Sequence, residues 1–384
     1  MGDYDRELAD IVDQLNRSAS GPAPGPEGSE PAQSGSLDGL LDLAARRKAT
    51  DILVVAGSPV AFRIDGVFTP LGRASLGGEE VKNLILPLLS PARYAELQRA
   101  KSIDFRIVRE RIGRFRANVH FQRGTLAASI RLLPTDLPTL ESLHLPEELG
   151  RLVERRQGLV LLTGPAGCGR TTTLAALVNA INRNRQAHII TIEDPIEYEH
   201  PNHRSVIEQI EVGTDTPDFP GTVRSVLRQA PDVILVGEMR DTETISTVLT
   251  AAETGHLVLS TLHTNDTSQA VSRILDSFPE ANQPQIRQQL SLALLAVIAQ
   301  QLVPAADGEG RYPALEILMG TDAVRNLIRH GQDHQLRTQL ITGRSAGMST
   351  MEQSLAALVR EYKISRDSAR AHCFRPDDLE GYLS

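Results

Sequence analysis

The chain has 384 residues, enough for two domains with full cores. Its formal net charge of -8 argues against a protein that holds nucleic acid by covering phosphates with Lys and Arg, and with no Trp and 4% aromatic residues few rings remain to stack bases. The two cysteines, Cys168 and Cys373, are too few for a disulfide framework or a four-cysteine zinc site and suit a reducing compartment. The acidic start "MGDYDRELADIVDQL" has no basic segment followed by an apolar run, and Arg6 stands where a myristoylation motif wants Ser or Thr, so the expected location is the cytoplasm.

Residues 19–36, rich in Pro, Gly, Ser and Ala, cannot offset the entropy of ordering and read as a linker behind a short amphipathic segment at 5–16. Residues 1–35 are thus expected to be a flexible tail and linker. Order resumes at "SLDGLLDLAARRKA" (36–49), where Ser36 can cap a helix with apolar residues at helical spacing. "DILVVAG" and "AFRIDGVFTPL" follow, the second with Asp65-Gly66 as a hairpin turn between two apolar runs. Helical stretches near 78–100 and alternating strands over 102–134 complete a small α+β domain, bounded at 36–145.

From Gln157 the rhythm becomes strand, turn, helix. "GLVLLTG", "HIITIED", "DVILVGEM" and "HLVLSTLH" are short apolar runs with helical stretches between them, the pattern of a mainly parallel sheet covered on both faces. "LSLALLAVIAQQLV" (290–303) is interrupted by glutamines and too short to span a bilayer, and is read as a buried helix. After residue 280 the chain is expected to be mostly helical except for "RYPALEILMG". Residues 146–384 form the second expected domain, with a C-terminal helical region.

The stretch "GPAGCGRTTT" (164–173) follows a strand and opens a helix, as a phosphate loop of the form G-x-x-x-x-G-K-[ST] does. Such a loop works because glycines let backbone N–H groups turn inward, the helix N-terminus adds positive potential, a Lys reaches the outer phosphates and a hydroxyl holds Mg²⁺. Gly164, Pro165, Ala166, Gly167, Cys168, Gly169, Arg170, Thr171 and Thr172 are therefore the candidate ATP-binding residues, and Cys168 is read as a small loop filler. Arg170 departs from the motif. It keeps the positive charge, but its planar fork is longer and wider than an ammonium, so binding is expected to survive better than catalysis.

Glu238 closes the strand "DVILVGEM" at the sheet edge where ligands bind, and a carboxylate there can orient or deprotonate water; a helix cap or salt bridge is the plainer reading. Gly237 stands where such a Glu is commonly preceded by Asp, so Mg²⁺ would rely on Thr171, water and a second acid, for which "TIEDPIE" offers Glu193 and Asp194. His256 and His263 flank the next strand at opposite ends and are not expected to touch the same phosphate.

Taken together these pieces resemble the secretion ATPase superfamily, and within it the PilT-like retraction ATPases of type IV pili. The likeness runs from about residue 36 to 372: "GPAGCGRTTTLAAL" is similar to that family's Walker A, "TIEDPIEY" to its Asp box, "PDVILVGEMRDTETI" to its Walker B and "TAAETGHLVLSTLHTNDTSQAVSRILDSFP" to its His box. "AVRNLIRH" (323–330) is similar to its AIRNLIRE signature, with Val324 and His330 as departures.

The resemblance implies a RecA-like P-loop ATPase core with a smaller N-terminal α+β (PAS-like) domain, and a homohexamer bound to ATP and Mg²⁺. It implies Glu238 as general base, Glu193 as an aid to Mg²⁺ or water, His263 as a γ-phosphate sensor, and Arg116, Arg123 and Arg131 as arginines that reach the nucleotide. The implied partner is the inner-membrane platform protein of the pilus machine, where the motor would be peripheral. The absence of a CxxC pair disfavours the pilus assembly and type II secretion branches. Arg170 keeps an alternative open: a weakly active or inactive nucleotide-binding accessory or regulatory subunit beside a paralogous pilus ATPase.

Overall fold

The computed structural model describes residues 36–64 and 66–384. The expected tail and linker over 1–35 and Asp65 of the expected hairpin lie outside the described residues. The chain falls into two compact units, one ending at Thr135 and the other spanning Asp136–Ser384.

In the first unit, helix α1 (Leu37–Arg46) begins where the Ser36 hydroxyl accepts from the Gly39 N–H at 3.1 Å. Strands β1 (Asp51–Val55), β2 (Ala61–Ile64) and β3 (Val67–Pro70) follow; Ile64 pairs with Val67, and Gly66 takes the left-handed conformation that so tight a turn needs. Helices α2 (Gly78–Ile85) and α3 (Pro91–Ala100) precede β4 (Ser102–Arg109), β5 (Gly113–Gln122) and β6 (Thr125–Leu133). The six strands form one antiparallel sheet in the order β3-β2-β1-β6-β5-β4. Because side chains alternate along a strand, Ile52, Phe105, Phe115, Val119 and Ile130 enter one core with Leu41, Val81 and Leu97 of the helices. The opposite face carries a cross-strand row of Arg106, Arg116, Arg131 and Asp51 in register.

The second unit opens with α4 (Glu147–Leu152), β7 (Gly158–Thr163), α5 (Arg170–Asn184), β8 (His188–Glu193), β9 (Val206–Glu211), α6 (Phe219–Val226) and β10 (Val233–Val236). It continues through α7 (Thr242–Glu253), β11 (Leu257–Thr261), α8 (Thr267–Asp276), α9 (Gln283–Ala293), β12 (Leu294–Pro304) and β13 (Arg311–Met319). Helices α10 (Asp322–Arg329), α11 (Leu336–Thr342), α12 (Met351–Arg360), α13 (Arg366–His372) and α14 (Pro376–Leu383) end the chain. The sheet order is β13-β12-β7-β11-β10-β8-β9, parallel except for the β12–β13 pair. Successive residues of the central strands bury on opposite faces. Leu159, Leu161, Ile190 and Val258 pack with α6 to α11, whereas Val160, Leu162, Ile189 and Leu259 pack with α4 and α5. This is the expected α/β core, a sheet covered on both sides.

One expectation is corrected. The run 290–303 is not a buried helix: α9 ends at Ala293, and Leu294–Pro304 is β12, paired to β7 on one side and β13 on the other. A strand covered on both faces shows no alternation, so its apolar residues carry no period that separates it from a buried helix. No helix of the described residues is long and apolar enough to cross a membrane.

Candidate active site

The fully buried β7 ends at Thr163, and residues 164–169 turn the chain into α5. Two glycines are required by shape. Gly164 has φ 141° and a Cβ there would come 2.3 Å from the Gln300 carbonyl oxygen; Gly169 has φ 91° and its Cβ would come 2.8 Å from the Gln300 side-chain nitrogen. The first helical bond of α5 runs from the Thr173 N–H to the Gly169 carbonyl at 3.0 Å. The N–H groups of residues 170–172 therefore have no acceptor within the helix and stand at its positive end, the arrangement that receives an anion. Pro165, Ala166 and Gly167 are exposed, while Cys168 is buried and its thiol is pushed up by that burial.

Arg170 is turned onto protein carbonyls. Its Nη1 donates to the Gly164 carbonyl at 2.5 Å and to the Leu262 carbonyl at 2.8 Å, and its Nη2 lies 3.1 Å from Nδ1 of His263. The guanidinium thus ties the start of the loop to the segment that follows β11.

A cleft of about 200 Å³ opens beside the loop, lined by Arg170, Thr171, Glu193, Tyr198, Glu238 and His263 among others. The ends of β8 and β10 bring its two acids together: the Gly237 N–H donates to the Ile192 carbonyl at 2.8 Å, and a Cβ on Gly237 would lie 3.2 Å from that oxygen. Glu193 Oε1 accepts from the Thr191 hydroxyl at 2.7 Å and from the Gln209 amide at 3.2 Å. Burial pushes the Glu193 carboxyl up to about 7, against these two bonds, which favour the charged form. Glu238 Oε2 is 2.6 Å from Arg240 Nε and 3.4 Å from His263 Nε2. The loop that carries His263 is latched to β7, because the Thr264 N–H donates to the Thr163 hydroxyl at 2.9 Å. Tyr198 reaches the Thr172 hydroxyl at 3.1 Å.

The candidate residues of the second unit, Thr171, Glu193, Glu238 and His263, thus meet in one cleft. His256 stays at the far end of β11, with Nδ1 3.0 Å from the Ala251 carbonyl. The arginine candidates belong to the first unit. Arg116 and Arg131 are register partners on one face, with Nε atoms 3.4 Å from Asp104 and 2.9 Å from Asp51 respectively. Arg123 is apart from them, exposed in the left-handed turn between β5 and β6. Sequence reasoning missed Thr163, Gln209, Arg240 and Gln300, which act through partners distant in the chain or lack a motif of their own.

The family described as "Type II/IV secretion system protein" matches residues 37–371. Over 340 residues the chain is 38% identical to the type IV pilus ATPase PilU of Pseudomonas aeruginosa, covering 88% of this chain and 89% of that protein. It is 40% identical over 340 residues to the type IV pilus retractation ATPase PilT of the same bacterium, covering 88% and 98%. The crystal structure of the pilus retraction motor PilT with bound ADP superposes with a TM-score of 0.82 at 40% identity, over 90% of this chain and 98% of that one. The sheet order, the glycine loop and these likenesses lead to one conclusion: the chain belongs to the type II/IV secretion system protein family.

Proposed function

We propose that this chain is the subunit of an ATP-hydrolysing motor that retracts type IV pili, working as a homohexamer held at the inner membrane through the platform protein of the pilus machine. The observation that carries the reading is the meeting of Thr171, Glu193, Glu238 and His263 at the open end of a phosphate loop. A site used only to hold a nucleotide has no need of a carboxylate placed to act on water. Relatives named as a pilus ATPase and a retractation ATPase, each matched over most of its length, support the pilus as the load.

In this reading the N–H groups of the loop and of the first turn of α5 receive the β- and γ-phosphates, and Arg170 supplies cationic charge beside them. The cleft of about 200 Å³ lies beside this loop and helix N-terminus and therefore takes the phosphate end of the nucleotide. Among the described residues no cluster of three or more His, Cys, Asp or Glu could hold a metal, and of the hydroxyls and carboxyls that line the cleft we assign Thr171, which opens the helix behind the loop, and Glu193 to the ion. That donor set fits Mg²⁺, which keeps several waters and takes phosphate oxygens. Held by Thr171 and Glu193, the ion would offset negative charge on the phosphates. Glu238 takes the proton of the attacking water once Arg240, whose side chain is 73% exposed, leaves its carboxylate. His263 touches both Glu238 and Arg170, and these contacts support the reading of it as the residue that reports the γ-phosphate. We assign Arg116, Arg123 and Arg131 to the nucleotide of a neighbouring subunit; the cross-strand row of Arg106, Arg116 and Arg131 supports the reading for Arg116 and Arg131, and Arg123 stands apart from that row.

The test is retraction of fluorescently labelled pili in the bacterium that carries this chain. Deletion should leave pili extended, with retraction restored by the native chain and not by Glu238→Gln; retraction at the native frequency after deletion contradicts the assignment.

A further inference from the structure

We infer that Gln300 is a positioning residue for the nucleotide's phosphates, because its side-chain amide sets the direction in which the Gly169 N–H points. The inference rests on the nucleotide reading given above. Strand β12 runs parallel beside β7 with Ala299 opposite Thr163, so the next residue, Gln300, stands where the loop leaves the sheet. Its residue exposure is 2%, and both ends of its amide are used. Nε2 donates to the Cys168 carbonyl at 2.7 Å, and Oε1 accepts from the Thr173 hydroxyl at 2.8 Å. One side chain therefore ties the last turn of the loop to the first turn of α5.

The consequence follows from peptide geometry. A trans peptide is planar, with its C=O and N–H pointing in opposite directions. With the Cys168 carbonyl held on Gln300, the Gly169 N–H is aimed away from β12, toward the side of the loop from which an anion approaches. The absence of a Cβ at Gly164 and at Gly169 lets both ends of the loop close on this residue, to 2.3 Å from its carbonyl oxygen and 2.8 Å from its amide nitrogen as measured from the missing Cβ positions. Without the amide donor nothing in the side chain of residue 300 holds that peptide in its orientation, and a loop N–H would turn away from the phosphate.

The test uses the full-length protein, titrated with ADP and with inorganic pyrophosphate, a probe that has phosphates and nothing else. Gln300→Glu places an oxygen where the amide donor stood, and Gln300→Met keeps the bulk while removing both bonds. Each variant should raise the Kd for ADP and for pyrophosphate by the same factor, roughly tenfold or more, as expected when a hydrogen bond to a charged group is lost. Thr173→Val, which leaves the Cys168 carbonyl held, should stay within about threefold of the native protein. If Gln300→Glu does not fold, Gln300→Met decides. An ADP Kd within about twofold of native in Gln300→Met, or ADP weakened while pyrophosphate is not, overturns the inference and leaves Gln300 a packing residue. Failure of the native protein itself to bind either probe overturns instead the nucleotide reading on which the inference stands.

Discussion

The imidazole of His263 lies 3.4 Å from a carboxylate oxygen of Glu238 through Nε2, and 3.1 Å from Nη2 of Arg170 through Nδ1. Arginine has only donors, so Nδ1 must accept, and the ring proton is on Nε2, facing Glu238. The ring is then a neutral link between the acid at the end of β10 and the residue that replaces the loop's lysine. A change at either end reaches the other through one side chain.

Glu238→Gln keeps the size of the side chain and removes its basicity. ATP turnover should fall at least about 100-fold, the scale of a lost general base, while the Kd for ADP stays within about threefold. Phosphate release and an ADP titration on the same preparation check this; unchanged turnover would remove Glu238 from the mechanism.

The Glu193 carboxyl, pushed by burial from 4.5 up to about 7, makes stability depend on pH. The folded state holds this proton more tightly than the unfolded state, so the group's favourable contribution is full below about 4.5 and is lost as pH rises through about 7. Glu193→Gln does not titrate and keeps an oxygen for Thr191 and Gln209. Nucleotide-free Glu193→Gln should therefore gain on the native protein as pH rises from 4 to 8, by on the order of 3 kcal/mol. Denaturant midpoints of both proteins across that range measure the gap, and a gap that narrows with rising pH contradicts the account.

Thr163 is fully buried, and its hydroxyl both accepts from the Thr264 N–H at 2.9 Å and donates to the Thr264 carbonyl at 2.5 Å. Thr163→Val keeps the shape and leaves those groups without their partner, which should lower stability by about 1–3 kcal/mol. Because Thr264 follows His263 directly, turnover should fall as well. Thr163→Ser retains the hydroxyl and should recover both properties, as read by denaturation and steady-state turnover; equal losses in the two variants would mean that bulk, not the latch, matters.

How far the sequence could be read follows from where each signal lies. The phosphate loop was legible because glycines and hydroxyls fall within ten consecutive residues directly after a short apolar strand, and Glu193, Glu238 and His263 because each closes or follows a short apolar run. The helix cap at Ser36 was legible for the same local reason. Strand β12 was not, since burial on both faces erases its period. With it went Gln300, whose partners Thr173 and Cys168 are 127 and 132 residues away in sequence. The Arg170 contacts were equally hidden: composition shows that a guanidinium is present, but only the fold shows that carbonyls of Gly164 and Leu262 engage it.

The claim that this chain hydrolyses ATP with Arg170 in place of lysine is tested most directly by steady-state ATPase activity of the purified protein beside Arg170→Lys, with nucleotide affinity measured on both. The account predicts a native rate within about tenfold of the variant, a difference of about 1.4 kcal/mol in barrier. A native protein that binds ATP but turns it over only when lysine is restored would contradict it, and would make the chain a nucleotide-responsive partner of another motor.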